Sequence, residues 1–206
     1  MIEATGQYVK AYIGGIIAST LAYALLGLLA RERLSGYDIK LRMERRVGNF
    51  WSARHSQIYP ELARLEGEGL VSHVVVKQRD RPDKKVYEIT ASGLGALEEW
   101  VTAPVEPRET RDELVLKAYS VWLAYPKEAV ALFREQQRLH EERLLDYEKM
   151  AAWMEEEWGE DLERPDSERF ASYAALQRGI LYERGYADWC LWLANRLEKR
   201  AGDKAG

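Results

Sequence analysis

Residues 57–71 of this 206-residue chain read QIYPELARLEGEGLV, and this stretch decides the fold of the first half of the sequence. Ile58, Leu62 and Leu65 recur at spacings of four and three residues, which places them on one face of a helix. Gly69 suits the left-handed backbone position that closes a helix. The stretch therefore predicts an amphipathic helix that ends in a tight turn.

Two runs rich in β-branched residues follow this helix. They span residues 70–78 and 85–90, and the basic loop RDRPDK at residues 79–84 lies between them. Short apolar runs on either side of a polar loop predict a β-hairpin. Helix, strand, charged hairpin and strand in this order are typical of a winged helix-turn-helix, in which the hairpin and the preceding helix can touch a duplex together.

Further helices are predicted on both sides of this segment. Residues 21–33 begin with an almost wholly apolar run, which suits a buried helix, and Ser19 or Thr20 can cap it. Ser35 can cap a short second helix, and residues 90–101 form a fourth helix after the hairpin. The fold class is therefore mainly α with a small β-wing.

Local geometry leaves one point open in this segment. Pro60 lacks an N–H and clashes one turn back, so the third helix either starts near Ser56 or bends there. Tyr37, Tyr87 and Ile89 are expected to lie in the core.

Residues 11–30 form a run of twenty residues without a charge, about the length that crosses a bilayer. Three glycines and two hydroxyl residues interrupt the run, and it lacks the dense Leu, Ile, Val and Phe of a typical span. A buried helix of a water-soluble domain is therefore favoured over a membrane segment.

The clearest linker is APVEP at residues 103–107, because neither proline continues a helix. We therefore expect an N-terminal extension at residues 1–18, a winged-helix DNA-binding domain at residues 19–103 and a helical dimerisation domain at residues 108–206.

The second half is expected to be all helical. A first helix covers residues 111–124, Pro126 suits the first position of a long second helix, and Ser167 can cap a last one. Three helices cannot bury such apolar faces alone, so pairing with a second copy of the chain is predicted.

Composition and charge agree with two domains of different roles. Apolar residues make up 47% of the chain, and the single cysteine excludes an internal disulfide and favours a cytoplasmic setting. Residues 40–87 hold eleven Lys or Arg against six Asp or Glu, whereas residues 105–206 hold sixteen against twenty-two. The basic half is therefore expected to meet nucleic acid, and the acidic half to stay away from it.

The first half resembles the PadR family of bacterial transcriptional regulators. The matching motifs, in chain order, are ALLGLL at residues 24–29, SGYDI at 35–39, IYPELARLEGEGL at 58–70 and KKVYEITASG at 84–93. The second half resembles, more loosely, the helical C-terminal domain of the longer members. The resemblance implies a homodimeric repressor that binds an inverted-repeat operator and is released by a small effector. Dimers of this kind commonly hold aromatic or planar molecules. Arg54-His55-Ser56-Gln57 departs from the small Ser/Thr-x-Gly segment that is frequent in the family.

Candidate DNA contacts follow from these elements. Lysine and arginine side chains neutralise phosphates, while the Gln57 amide can form two hydrogen bonds with one adenine base. The candidates are Lys40, Arg42, Arg54, Ser56, Gln57, Tyr59, Arg64, Arg79, Arg81, Lys84 and Lys85. Two alternatives stay open: the charges form an ordinary solvated surface, or Arg64 pairs with Glu61 or Glu66.

A planar effector needs aromatic stacking surfaces. The candidate residues are Trp100, Tyr119, Trp122, Trp189 and Trp192. The alternative is that aromatic residues at helical spacing simply fill the core.

Enzyme activity, a metal site and a cofactor are not expected. The three histidines are far apart, and the chain has no glycine-rich phosphate loop or nucleophile elbow. The alternative to a regulator is a winged-helix adaptor that binds proteins without DNA, but the cationic wing argues against it.

Overall fold

The structure is a computed structural model that describes residues 19–43, 55–77, 83–105 and 111–203. The chain divides into two compact units, Met1–Pro107 and Arg108–Gly206. The predicted extension at residues 1–18 lies outside the described residues.

The first unit is a winged helix-turn-helix, as the sequence predicts. Its described elements are α1 (Thr20–Leu29), β1 (Leu34–Ser35), α2 (Gly36–Arg42), α3 (His55–Gly67), β2 (Val71–Val76), β3 (Lys84–Ile89) and α4 (Ala91–Val101). The three strands form an antiparallel sheet in the order β1-β3-β2, and His73 of β2 lies opposite Tyr87 of β3. Strands β2 and β3 are the wing.

Local signals in the sequence set the ends of these helices. The Ser19 hydroxyl accepts from the backbone N–H of Ala22, and Ser35 and Asp38 form a capping box at the start of α2. The Thr90 hydroxyl accepts from the backbone N–H of Gly93, which starts α4. Gly69 adopts a φ of 72°, which a residue with a side chain rarely tolerates. The predicted roles of Ser19, Ser35 and Gly69 are confirmed.

The core of the first unit lies between α1, α3 and the sheet. Ile58, Leu62 and Leu65 are fully buried, as the predicted spacing requires. Tyr87 is buried and Ile89 packs against the same cluster.

The prediction that Tyr37 lies in the core is wrong, since its side chain is 61% exposed. Ile39 is the residue of α2 that is fully buried. Two residues along a helix correspond to a rotation of about 200°, so Tyr37 and Ile39 lie on opposite faces.

Helix α1 covers residues 20–29 of the uncharged run. Within the ranges that the structure describes, no helix has the length and hydropathy needed to cross a membrane.

The second unit is a long helical hairpin. It contains α5 (Glu113–Tyr119), a 3₁₀ turn at Val121–Leu123, α6 (Pro126–Trp158), a 3₁₀ turn at Gly159–Glu163 and α7 (Glu168–Asp203). Pro126 starts α6 and the Ser167 hydroxyl accepts from the backbone N–H of Arg169, as predicted. The helix predicted over residues 111–124 is shorter, because a turn at Ser120 separates α5 from the 3₁₀ segment.

Two apolar clusters join α6 to α7. Phe133 and Cys190 are central to one cluster, and Met154 and Ile180 belong to the other. Between these clusters, buried His140 of α6 contacts buried Glu183 of α7. The hairpin therefore contains a buried polar contact between its two apolar clusters.

Candidate nucleic-acid interface

The first turns of α3 present polar side chains away from the core. Ser56, Gln57 and Tyr59 are exposed, whereas Ile58 and Leu62 face inward. Three of the predicted base-contacting residues are therefore brought together on one exposed face of the helix. Pro60 lies within α3, which extends back to His55.

Tyr59 lies across the start of α2. A Cβ atom built on Gly36 would lie 2.5 Å from Cε1 of Tyr59, so the ring occupies the space that a side chain at position 36 would need. The glycine of the SGYDI motif thus lets the second and third helices approach closely.

Arg64 is held by carboxylates of its own helix. Its guanidinium donates to Glu61 at 2.8 Å and also to Glu68. The hydrogen bond with Arg64 lowers the pKa of Glu61, and the Ser19 hydroxyl donates to the same carboxylate at 2.5 Å. The structure therefore favours the predicted alternative over a phosphate contact, with Glu68 rather than Glu66 as the second partner. Glu66 contacts the wing instead.

Arg42 and Lys40 lie on the neighbouring helix α2. Arg42 lies 3.1 Å from Glu32 in a partly exposed ion pair, and such pairs contribute little free energy. Within the described part of the chain, Lys40 has no ion pair. Both side chains can therefore still contact a phosphate.

Lys84 ties the wing to α2. Its Nζ lies 3.0 Å from Oδ2 of Asp38, a residue 46 positions away. Hydrogen bonds from Ser35 and then from Lys84 lower the pKa of Asp38. Lys84 lies opposite Val76 at the loop end of the wing strands, and its ammonium is held by a carboxylate of the same unit.

Lys85 is the exposed cation of the described wing. It lies opposite Val75, on the sheet face that also carries Tyr87 and His73. In the ranges that the structure describes, its ammonium has no carboxylate partner. The predicted contacts Arg54, Arg79 and Arg81 lie outside the described residues.

Comparisons with known proteins identify the family to which the chain belongs. Residues 25–99 match the family described as "Transcriptional regulator PadR-like family", and residues 110–198 match "Virulence activator alpha C-term". A negative transcriptional regulator, PadR of Bacillus subtilis (strain 168), is 38% identical over 185 residues, covering 87% of this chain and 98% of that protein. The chain belongs to the PadR-like family of transcriptional regulators. This family is one of regulators and not of enzymes.

Solved structures of the Bacillus subtilis protein are similar along the whole fold. Its complex with operator DNA has a TM-score of 0.75 and 34% identity, and covers 87% of this chain and 99% of that chain. Its complex with p-coumaric acid has a TM-score of 0.70 and 33% identity, and also covers 87% of this chain and 99% of that chain. The resemblance that the sequence motifs indicated is thereby confirmed.

A hollow of about 350 Å³ lies on the second unit of this PadR-like protein. Val115 of α5 and Gly185, Tyr186 and Trp189 of α7 line it. Nothing lies within 4 Å of a Cβ atom built on Gly185, so the missing side chain leaves the hollow open. Its volume falls at the lower end of the range for small-molecule sites.

Of the five predicted effector residues, Trp189 alone lines this hollow. Trp100 stacks on Tyr23 in the first unit with ring centroids 4.5 Å apart, which favours the core-filling alternative for that residue. Tyr119, Trp122 and Trp192 are 84%, 68% and 55% exposed and line no part of it. Sequence reasoning missed Tyr186 and Gly185, although the spacing of Tyr182, Tyr186 and Trp189 marks one aromatic stripe on α7.

The surroundings of the hollow carry negative charge. Asp112 accepts from the backbone N–H groups of Leu114 and Val115 and so caps α5. Burial and then Asp112 raise the pKa of the Cys190 thiol to about 11, and the same two causes raise the pKa of Tyr182. Tyr186 and Trp189 give the hollow aromatic surfaces against which a flat ring can stack. Among the described residues, no cluster of His, Cys, Asp or Glu suits a metal ion.

Proposed function

We propose that this PadR-like protein is a cytoplasmic, homodimeric repressor that binds a specific operator and is released by a small aromatic effector. One observation carries the proposal: the exposed start of α3 lies in the same compact unit as a cationic wing, in a family whose Bacillus subtilis member has been crystallised on operator DNA. Ser56 and Gln57 supply hydrogen-bonding groups for base edges, and Lys85 supplies a phosphate contact.

Exposed apolar residues on the second unit support the homodimer. They lie on α5, on the following 3₁₀ turn and just before α6, and are Leu116, Tyr119, Trp122, Leu123 and Tyr125. Several large apolar side chains exposed in one short stretch of chain are typical of a protein interface. We propose that a second copy of the chain covers it.

The operator can be tested with a duplex that carries the region upstream of the protein's own gene. We expect a specific complex whose affinity falls steeply as salt rises, because each phosphate contact releases counterions. Lys85→Ala should weaken binding to all sequences and reduce the log–log salt slope by about one per copy. Gln57→Ala should instead change sequence preference.

The matched control is Lys117→Ala, which removes a cation that pairs with Glu113 on the second unit. It should leave the affinity and its salt dependence unchanged. Absence of a specific complex even at low salt would favour the adaptor that binds proteins without DNA.

The effector can be tested with p-coumaric acid, the ligand found with the Bacillus subtilis protein. Gly185→Leu fills the hollow, so we expect normal DNA binding but release only at roughly tenfold or more higher ligand concentration, a cost of about 1.4 kcal/mol. The measurement is the ligand concentration that halves the bound fraction of the duplex.

Ala174→Leu adds the same side chain at an exposed position of α7 and serves as the control. It should respond to the ligand as the native chain does. An unchanged response in Gly185→Leu would exclude the hollow as the effector site.

A further inference from the structure

One contact joins the helix that carries the candidate base-reading residues to the wing. The imidazole Nδ1 of His73, on β2, contacts the Glu66 carboxylate on α3. The two side chains are only 20% and 33% exposed. The His73 ring also lies 5.5 Å from the ring of Tyr87, the residue opposite it on β3.

The other ion pairs of the wing strands are formed with residues outside α3. Lys84 pairs with Asp38 of α2, and Glu88 pairs with Arg33 ahead of β1 at 2.7 Å. Among the residues that the structure describes, the contact of Glu66 with His73 is the one ion pair between α3 and the wing strands. It is therefore placed to set the angle between the two elements that would meet DNA.

We propose that Glu66 and His73 form a positioning contact between α3 and the wing, and that protonation of His73 tightens it. This rests on the proposed function. A neutral imidazole offers the carboxylate only a hydrogen bond, whereas an imidazolium adds an ion pair. A wing that is held more firmly in its binding orientation raises DNA affinity, so affinity increases when the imidazole is protonated.

Other polar and charged groups lie near the pair. Tyr87 on β3 lies near Glu66 and near Tyr59 of α3, and burial followed by the charge of Glu66 raises the pKa of Tyr87, so that phenol stays neutral in the range tested. Lys85 lies on the same sheet face as His73. On the β1 side, apolar Leu34 lies opposite Tyr87.

The test measures affinity for the upstream duplex from pH 8 to pH 6 at constant ionic strength. It is done in a His55→Gln background, so that His73 is the one histidine left in residues 1–107. We expect about threefold tighter binding at pH 6, the size of effect expected from a partly exposed ion pair. His73→Gln and Glu66→Gln should each remove this gain.

Glu88→Gln is the matched control, since it removes a wing carboxylate that pairs with Arg33 instead. It should keep the full pH response. A gain at pH 6 that survives His73→Gln, or no gain at all, overturns the positioning role while leaving DNA binding intact. Absence of any specific complex overturns the proposed function as well.

A second measurement needs no DNA. Spin labels on Ala63→Cys of α3 and Val75→Cys of the wing, with Cys190→Ala, report the distance between the two elements. The distance distribution should narrow between pH 8 and pH 6, and His73→Gln should keep it broad. Identical distributions with and without His73 contradict the proposal even if DNA affinity depends on pH.

Discussion

Gly93→Ala is expected to destabilise the first unit by about 3 kcal/mol, because it forces a side chain against the backbone. A Cβ atom at position 93 would lie 2.1 Å from the carbonyl oxygen of Leu70 and 2.9 Å from Cγ1 of Ile89. The Leu70 carbonyl is fixed, since it accepts from both the backbone N–H and the hydroxyl of Thr90. Chemical denaturation followed by the fluorescence of Trp100, which stacks on Tyr23 in this unit, measures the loss.

Gly95→Ala is the matched control two residues further along α4. Nothing lies within 4 Å of a Cβ atom built there, so the substitution meets no obstacle. Alanine favours a helix over glycine, and we expect a gain of about 0.5–1 kcal/mol. Similar stabilities for the two variants would show that the close approach of Gly93 to Leu70 does not constrain the fold.

Local signals explain why the first unit could be predicted in detail from its sequence. Capping by Ser35 and Thr90 and the left-handed turn at Gly69 depend on residues within three or four positions. The buried face of α3 follows from spacing alone. These features need no knowledge of the remaining chain.

Contacts between distant residues explain what could not be predicted. Asp38 meets Lys84 across 46 positions, and that pairing holds the ammonium of a residue that the sequence presents as a DNA contact. The sequence does not decide whether Arg64 contacts a phosphate or a carboxylate. Glutamates lie within about one helical turn of it, and their spacing alone does not show which of them pairs with the guanidinium. The hollow beside Gly185 was missed because an absent side chain gives no chemical signal until α5 packs against α7.

Glu183→Ala is expected to cost the second unit about 1–3 kcal/mol, because it leaves a buried imidazole without its hydrogen-bond partner. His140 and Glu183 are 7% and 5% exposed, and Nδ1 of the histidine lies 2.5 Å from Oε2 of the glutamate. The pair joins α6 to α7 across 43 positions, and the His140 ring also stacks on Tyr186 at 4.5 Å. Urea denaturation should show a large fall in the free energy of unfolding.

Two further variants separate loss of the pair from loss of packing. Glu148→Ala removes a carboxylate from the exposed pair with Arg184 on the same helices and should cost less than about 1 kcal/mol. Replacing both His140 and Glu183 by Leu removes the two polar groups together, and stability should recover most of the loss, since apolar replacement of a buried pair is often neutral. A double variant as unstable as Glu183→Ala would instead mean that the polar contact itself stabilises the hairpin, beyond the cost of leaving His140 unpaired.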